Sequence, residues 1–136
     1  MPALFSRLLS VLFLAIGPLP AAAEVLVVTD SRHPIQVIAG ARLIELDQPT
    51  RIKAELSAGL PTDLHRAADI ARQRLREGGD TLQRRLHEAY QGVADARNLG
   101  VTKIPAVVAD RRYVVYGESD VSRAIARIDA YRNARP

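Results

Sequence analysis

Three side chains with catalytic potential lie close together near the start of the chain, at Asp30, Ser31 and His33. A carboxylate, a hydroxyl and an imidazole are the groups of a hydrolytic triad, in which the acid orients the base and the base activates the nucleophile. Three residues crowded into one short loop cannot readily form that chain of contacts, and polar residues after a strand are usually turn formers. We therefore expect no serine enzyme and predict no catalytic residue.

The residue types also give little support to metal, thiol or phosphate chemistry. His33 has no visible co-ligand, and His65 and His87 are 22 residues apart, which is not the i, i+4 spacing of a helical metal pair. The chain has no cysteine, so it has no thiolate to attack a disulfide. Gly78 and Gly79 are an isolated pair between helical segments, not a phosphate loop. We expect no metal and no cofactor.

The first part of the chain has the layout of a secretory signal peptide. A positive start at Arg7 is followed by an apolar stretch over residues 8–16 and by the small residues 21–23. The apolar stretch is only about ten residues long, whereas a helix that crosses a bilayer needs about twenty. We predict a signal peptide over residues 1–23 and a mature domain over residues 24–136 that works outside the cytoplasm. A retained membrane anchor is the alternative.

The mature chain is only mildly basic. Removing Arg7 from the 19 Lys and Arg residues leaves 18 against 15 Asp and Glu. The densest basic stretch would be the candidate contact for nucleic acid, and its members are Arg72, Arg74, Arg76, Arg84 and Arg85. Only Arg72 and Arg76 share a helical face, and the nearest aromatic platform, Tyr90, is predicted to point inward. A solvated helix face is therefore the preferred interpretation.

Hydrophobic periodicity predicts an α/β domain. Apolar runs over residues 24–30 and 41–46 indicate two strands, and adjacent Leu43 and Ile44 suggest that the second is buried on both faces. Helical spacing follows over residues 50–99, broken by Gly78 and Gly79. The spacing predicts that the helices bury one apolar face, with these positions inward: Leu64, Ala67, Ala68, Ala71, Leu75, Leu82, Leu86, Tyr90 and Val93.

The last third of the chain predicts a β-hairpin followed by a helix. Residues 104–109 and 112–116 are strand-like and are separated by a tight turn, so they must pair antiparallel. Tyr113 and Tyr116 then lie on opposite faces of the hairpin. Ser119 is predicted to cap the final helix, whose apolar face contains Val121, Ala124, Ile125 and Ile128, and residues 132–136 are predicted to fray.

The order strand, strand, helices, hairpin, helix resembles a thioredoxin-like domain with about four strands in a mixed sheet. In that fold an apolar residue and a cis proline begin the third strand, the position of Ile104 and Pro105; a trans proline is the alternative. Redox-active members carry Cys-x-x-Cys at the start of a helix after the first strand, where this chain has residues 29–34. The resemblance implies a groove without the redox reaction, and the predicted docking residues are Asp30, Ser31, Arg32, His33, Ile104 and Pro105.

The mature chain is similar throughout to a family of small secreted proteins encoded on integrating conjugative elements. The motifs that carry the resemblance are VVTDSRHP over residues 27–34, IELD over 44–47, LSAGLP over 56–61, AYQG over 89–92, GVTKIPAVV over 100–108 and YVVYG over 113–117. The family is similar in fold to thioredoxin-like components of conjugative type IV secretion systems. The resemblance implies a non-enzymatic periplasmic accessory that docks onto other conjugative secretion components.

Several points stay open at this stage. We expect no stable membrane insertion after signal cleavage and no nucleic-acid partner, and the oligomeric state is not predicted. Two alternative functions remain: a redox-inactive periplasmic folding factor or holdase, and a nucleic-acid contact during DNA transfer through the arginine stretch.

Overall fold

Seven elements of regular secondary structure make up residues 23–135, the part of the chain that the computed structural model describes. The strands are β1 (Val25–Thr29), β2 (Arg42–Glu45), β3 (Ala106–Ala109) and β4 (Tyr113–Tyr116), and the helices are α1 (Gln48–Ser57), α2 (Leu64–Asn98) and α3 (Val121–Asn133). The predicted α/β class is confirmed. The signal peptide predicted over residues 1–23 lies, apart from Ala23, outside the described residues.

The four strands form one mixed sheet in the order β2-β1-β3-β4. Strands β1 and β2 are parallel, while β1 pairs antiparallel with β3 and β3 antiparallel with β4. This confirms the predicted four-stranded sheet with its C-terminal hairpin, and the arrangement is compatible with a thioredoxin-like fold. The connection from β1 to β2, residues 30–41, contains no helix. It therefore differs from the loop and helix that follow the first strand in redox-active thioredoxin-like proteins.

Helices cover both faces of the sheet. Side chains of a strand point alternately to its two faces, so in β1 Leu26 and Val28 pack towards Ala96 of α2, and Val27 packs towards Val121 of α3. All five side chains are buried, and Leu26, Val27, Val28 and Val121 are fully inaccessible. A third cluster joins α1 to α2 and comprises Ile52, Leu82 and Ala89 with half-buried Leu56 and Leu86. Within residues 23–135 no helix combines the length and apolar character needed to cross a bilayer.

The ends and the break of α2 follow local sequence signals. The side chain of Asp63 caps the first turn by accepting from the amide three residues later, at 2.8 Å. Gly79 (φ 49°, ψ −145°) interrupts the helix where the Gly78-Gly79 pair predicted a break. At the far end, the amides of Gly100 and the next residue donate to the carbonyls of Arg97 and Ala96, at 3.0 and 3.2 Å, which is the Schellman pattern around a left-handed glycine.

The prediction that β2 is buried on both faces is wrong. Ile44 is buried, but 45% of Leu43 is exposed. The reason is that β2 is an edge strand that pairs with β1 alone within the described residues. An apolar pair in a sequence does not show whether helices cover both faces at that edge.

The predicted inward face of α2 is wrong at two leucines of its N-terminal half, where Ala67, Ala68 and Ala71 are half-buried. The buried residues of α2 all follow the break at Gly79, whereas Leu64 and Leu75 are 83% and 48% exposed. Tyr90 points outward as well, with 48% of the residue exposed and the Lys53 ammonium 5.7 Å from its ring centre. The apolar stripe of α2 therefore extends beyond the part of the helix that contains its buried residues, which is the part after Gly79.

The hairpin and final helix are confirmed, with two corrections at the helix ends. Asp120, not Ser119, caps α3, accepting from the Arg123 amide at 3.2 Å. The helix continues to Asn133, so the predicted fraying from residue 132 is wrong. Arg132 is held in place because it pairs with Asp110 of the hairpin turn.

Candidate functional site

The two predicted halves of the docking groove lie at the same edge of the sheet. Val28 pairs with Ala106, so the residues that follow β1 and those that precede β3 emerge side by side. The Ile104-Pro105 peptide bond is cis, the isomer that the sequence favours. The Pro105 carbonyl accepts from the Gly117 amide at 2.8 Å, which attaches this segment to the end of β4.

Asp30 fixes the conformation of the loop that follows β1. This residue is only 6% exposed, and its Oδ1 accepts from the amides of Arg32 and His33, each at 3.0 Å. The same oxygen lies 2.6 Å from the His33 Nδ1. The Thr29 hydroxyl donates to the His33 carbonyl at 2.6 Å. A short segment therefore folds around one carboxylate in an Asx-type turn.

Asp47, at the start of α1, holds the loop from the other side. Its carboxylate accepts from the Ser31 hydroxyl and, at 3.2 and 3.3 Å, from the Ser31 amide. The pairing of β1 with β2 brings the two residues together, since the Leu46 amide donates to the Thr29 carbonyl at 2.8 Å. Sequence reasoning did not include Asp47 in the site, although the IELD motif ends on it.

The two contacts divide the candidate triad between separate carboxylates. The Ser31 hydroxyl donates a hydrogen bond to Asp47, while the His33 ring is hydrogen-bonded to Asp30. His33 is thus not placed as the base for Ser31 in this arrangement. Within residues 23–135 no group of three or more His, Cys, Asp and Glu side chains is arranged to hold a metal ion.

The outer surface of the loop remains accessible. The side chains of Arg32 and His33 are 84% and 49% exposed. Next to them, Ile104 and Pro105 are half-buried, and Ile104 packs against the core cluster under the sheet. Tyr116 is 37% exposed, and its hydroxyl accepts from the Thr102 amide at 3.4 Å. The site presents exposed cationic and aromatic groups on a backbone that internal hydrogen bonds hold in place.

Hydrogen bonds lower the pKa of both carboxylates that hold the loop. For Asp30 the largest cause is the hydrogen bond from the His33 ring, partly offset by desolvation and reinforced by the Arg32 amide. For Asp47 the largest cause of the lowered pKa is the Ser31 hydroxyl, followed by an opposing desolvation effect and then the Ser31 amide. Both groups bind protons more weakly in the folded state than in the unfolded chain.

This difference predicts a loop-dependent loss of stability in acid. Because the folded pKa of Asp30 and Asp47 lies below the unfolded value of about 3.9, their contribution is present above that pH and is lost as the pH falls through the folded pKa. We expect the free energy of unfolding, measured by urea titration, to fall less between pH 5 and about 3 in an Asp30→Asn/Asp47→Asn variant than in the wild type. Asp80→Asn/Glu88→Gln, at two exposed positions of α2, controls for the loss of two negative charges. An equal acid dependence in all three proteins would contradict the assignment.

Comparison with known sequences places this site within a defined family. The family described as "Protein of unknown function (DUF1525)" matches residues 22–134. The chain belongs to this family. The matched segment includes both halves of the site. No curated protein and no solved structure matches the chain.

In this family member the arginine stretch singled out from the sequence is largely engaged within the chain. Arg72 pairs with Asp69 at 2.8 Å and Arg85 with Glu55 at 3.0 Å. Arg74 donates to the carbonyls of Leu56 and Ala58, at 2.8 and 2.7 Å, and so ties α2 to the end of α1. These arginines do not lie at the sheet edge that carries the candidate docking residues.

Proposed function

We propose that this protein is a non-enzymatic periplasmic accessory of conjugative transfer that docks onto another component of the type IV secretion apparatus of an integrating conjugative element. The docking surface consists of residues 30–33 and 104–105. The observation that carries the proposal is the meeting of these two segments at one sheet edge, where the Asp30 and Asp47 carboxylates hold the loop while its outer side chains stay exposed.

A loop that is already ordered suits a docking role. A partner that binds a preformed surface avoids the entropic penalty of ordering a flexible segment. Four hydrogen bonds from loop amides to the Asp30 and Asp47 carboxylates hold the loop backbone in place. Most of the Arg32 side chain is exposed and can contact a partner. Arginine is among the residues that most often dominate binding energy at protein interfaces.

The sequence supports the cellular setting of the proposal. Two of the motifs shared with the conjugative-element family, residues 27–34 and 100–108, supply the two halves of the docking surface. The layout of residues 1–23 is that of a cleavable signal peptide, which supports export to the periplasm. A chain without cysteine has no thiolate for disulfide exchange there, which favours binding over redox chemistry.

A genetic test asks whether the surface is required for transfer. We expect deletion of the gene to lower mating frequency, and the wild-type gene to restore it. Arg32→Ala/His33→Ala should restore mating poorly, because losing interface hot-spot side chains weakens binding about tenfold or more. The substitutions keep both backbone amides that donate hydrogen bonds to Asp30, so the loop can retain its turn. The control is His65→Ala/Arg72→Ala, which removes the same residue types from exposed α2.

The outcomes separate the proposal from its alternatives. Full complementation by the loop variant would contradict the docking surface, and normal mating without the gene would contradict the role in transfer. Broad suppression of aggregation of unrelated denatured proteins, unaffected by the loop variant, would indicate a holdase. Failure of only the His65→Ala/Arg72→Ala variant would indicate the nucleic-acid contact through α2.

A further inference from the structure

A second exposed surface lies at the opposite end of the sheet, where the β3–β4 turn meets the last turns of α3. Tyr113 of β4 and Tyr131 of α3 pack edge to face there, with ring centres 6.2 Å apart. Two adjoining cavities, of about 340 and 380 Å³, share these two tyrosines and Arg112 as lining residues. We call this region the hairpin–helix cleft, and the arginines that line it are Arg112, Arg127, Arg132 and Arg135.

The hairpin–helix cleft has an excess of positive charge. Arg132 is neutralised by Asp110 and by Asp129 at 3.6 Å, and Arg127 lies 3.9 Å from Glu118. Arg112 and Arg135, both exposed, form no ion pair within residues 23–135. Two guanidinium groups are therefore free to pair with carboxylates of a partner.

Strand β4 forms a free edge of the sheet beside this cleft. Within the described residues β4 pairs with β3 alone. The Gly117 amide donates to the Pro105 carbonyl of the neighbouring segment. Residues that bond to the partner strand alternate with residues that do not along an antiparallel pair. The backbone amides and carbonyls of Val114 and Tyr116 therefore point to the free edge. Both side chains are partly exposed, at 42% and 37%.

The sequence of β4 leaves this edge open to strand addition. Natural sheets usually protect an edge with charged residues, and the other edge strand, β2, has Arg42 and Glu45 at its ends. Strand β4 reads YVVY and contains no charge. Its residues are β-branched and aromatic, the types that favour extended structure.

The tyrosines of the cleft are poorly placed to stack on bases. Arg132 and Arg112 lie over the Tyr113 ring, 4.6 and 5.5 Å from its centre. Arg135 lies 4.8 Å from the centre of the Tyr131 ring. Single-stranded nucleic acid is bound by open aromatic faces together with basic side chains, whereas here guanidinium groups already cover the rings. A peptide backbone requires only the free strand edge.

We propose that the β4 edge and the hairpin–helix cleft bind an extended acidic segment of a partner protein. The segment adds a strand beside β4 through backbone hydrogen bonds, and its carboxylates meet the guanidinium groups of Arg112 and Arg135. The inference does not depend on the proposed conjugation role, because Arg112, Val114 and Arg135, the residues on which its test rests, are not part of the docking surface.

A binding assay with defined peptides tests the inference. The probe is a short fluorescein-labelled peptide of alternating valine and glutamate, and the comparison peptide alternates valine and glutamine. We expect fluorescence anisotropy of the purified protein to give an affinity about tenfold higher for the acidic peptide, and this preference should decrease with added salt. Equal affinities for the two peptides would overturn the proposal.

Two pairs of variants separate charge from backbone pairing. Arg112→Gln/Arg135→Gln should lower the affinity for the acidic peptide about tenfold. Arg72→Gln/Arg76→Gln removes the same charge from α2 and should leave that affinity unchanged. Val114→Pro removes an outward amide at an edge position that tolerates proline and should abolish binding, while Val114→Thr should retain it. Circular dichroism checks that each variant folds. Unchanged affinity in the Arg112→Gln/Arg135→Gln variant, or tighter binding of oligothymidylate than of the peptide, would refute the proposal.

Discussion

Replacing Leu26 by alanine should lower the free energy of unfolding by about 2–5 kcal/mol. Leu26 is fully inaccessible in β1, which lies between β2 and β3, and its side chain belongs to the cluster packed towards α2. The truncation removes apolar contacts and leaves a cavity that the surrounding elements cannot readily close. Guanidinium denaturation followed by circular dichroism measures the loss.

The neighbouring strand offers a matched control for this prediction. Leu43→Ala makes the same chemical change in β2, but Leu43 is 45% exposed, so we expect a loss of about 1 kcal/mol or less. The pair of variants tests the arrangement of the sheet directly. Equal losses from Leu26→Ala and Leu43→Ala would contradict the central position of β1 or the exposure of the β2 edge.

Replacing Gly92 by valine should cost about 1–3 kcal/mol of stability through overpacking. Gly92 lies in α2 where the helix crosses β2, and an added Cβ would be only 3.1 Å from the Ile44 Cγ2 atom. Valine adds two γ-methyl groups with restricted rotation in a helix, so the side chain cannot fully turn away from Ile44. The variant must separate α2 from the sheet or distort Ile44, and urea denaturation measures the result.

At position 92 valine replaces glycine, whose helix propensity is lower still, so a loss of stability there does not come from propensity. Ala94→Val measures what valine costs at an exposed position of the same helix. That change should cost about 0.5 kcal/mol. If Gly92→Val is no more destabilising than Ala94→Val, the close contact between α2 and β2 is incorrect.

Local sequence signals predicted the central and C-terminal parts of the fold well. The β-branched run of β1, the turn at Asp110 and Arg111, and the i, i+3, i+4, i+7 pattern of α3 each specify an element with little tertiary context. The turn residues adopt φ values of 50° and 54°, and Val121, Ala124 and Ile128 are buried as the spacing indicates. These patterns succeed because the geometry they need is set within a few residues.

The errors have a common physical cause, which is that periodicity identifies an apolar face but not its partner. Leu64 and Leu75 continue the stripe of α2, yet they precede the break at Gly79, beyond which all the buried residues of the helix lie. Tyr90 lies on the predicted face but turns its ring to the Lys53 ammonium. The predicted fraying at Arg132 failed for a similar reason, since its partner Asp110 is 22 residues away.

The sequence predicted the loop residues of the candidate site but not the contact that Asp47 makes with them. The turn around Asp30 is local, and the bonds from Arg32 and His33 span two and three residues. The contact between Ser31 and Asp47 spans 16 residues and exists because β1 and β2 run parallel in one register. The thioredoxin-like resemblance suggested which strands would be neighbours, but it gave no reason to connect Ser31 with the start of α1.

Site-specific photocrosslinking tests the docking proposal most directly. A benzophenone side chain placed at Arg32, whose own side chain is 84% exposed, should form an adduct with a component of the secretion apparatus in cells that carry the conjugative element. The same group at Arg72, 65% exposed on α2, should not form that adduct. No adduct from Arg32, or the same adducts from both positions, would contradict a docking surface at this edge of the sheet.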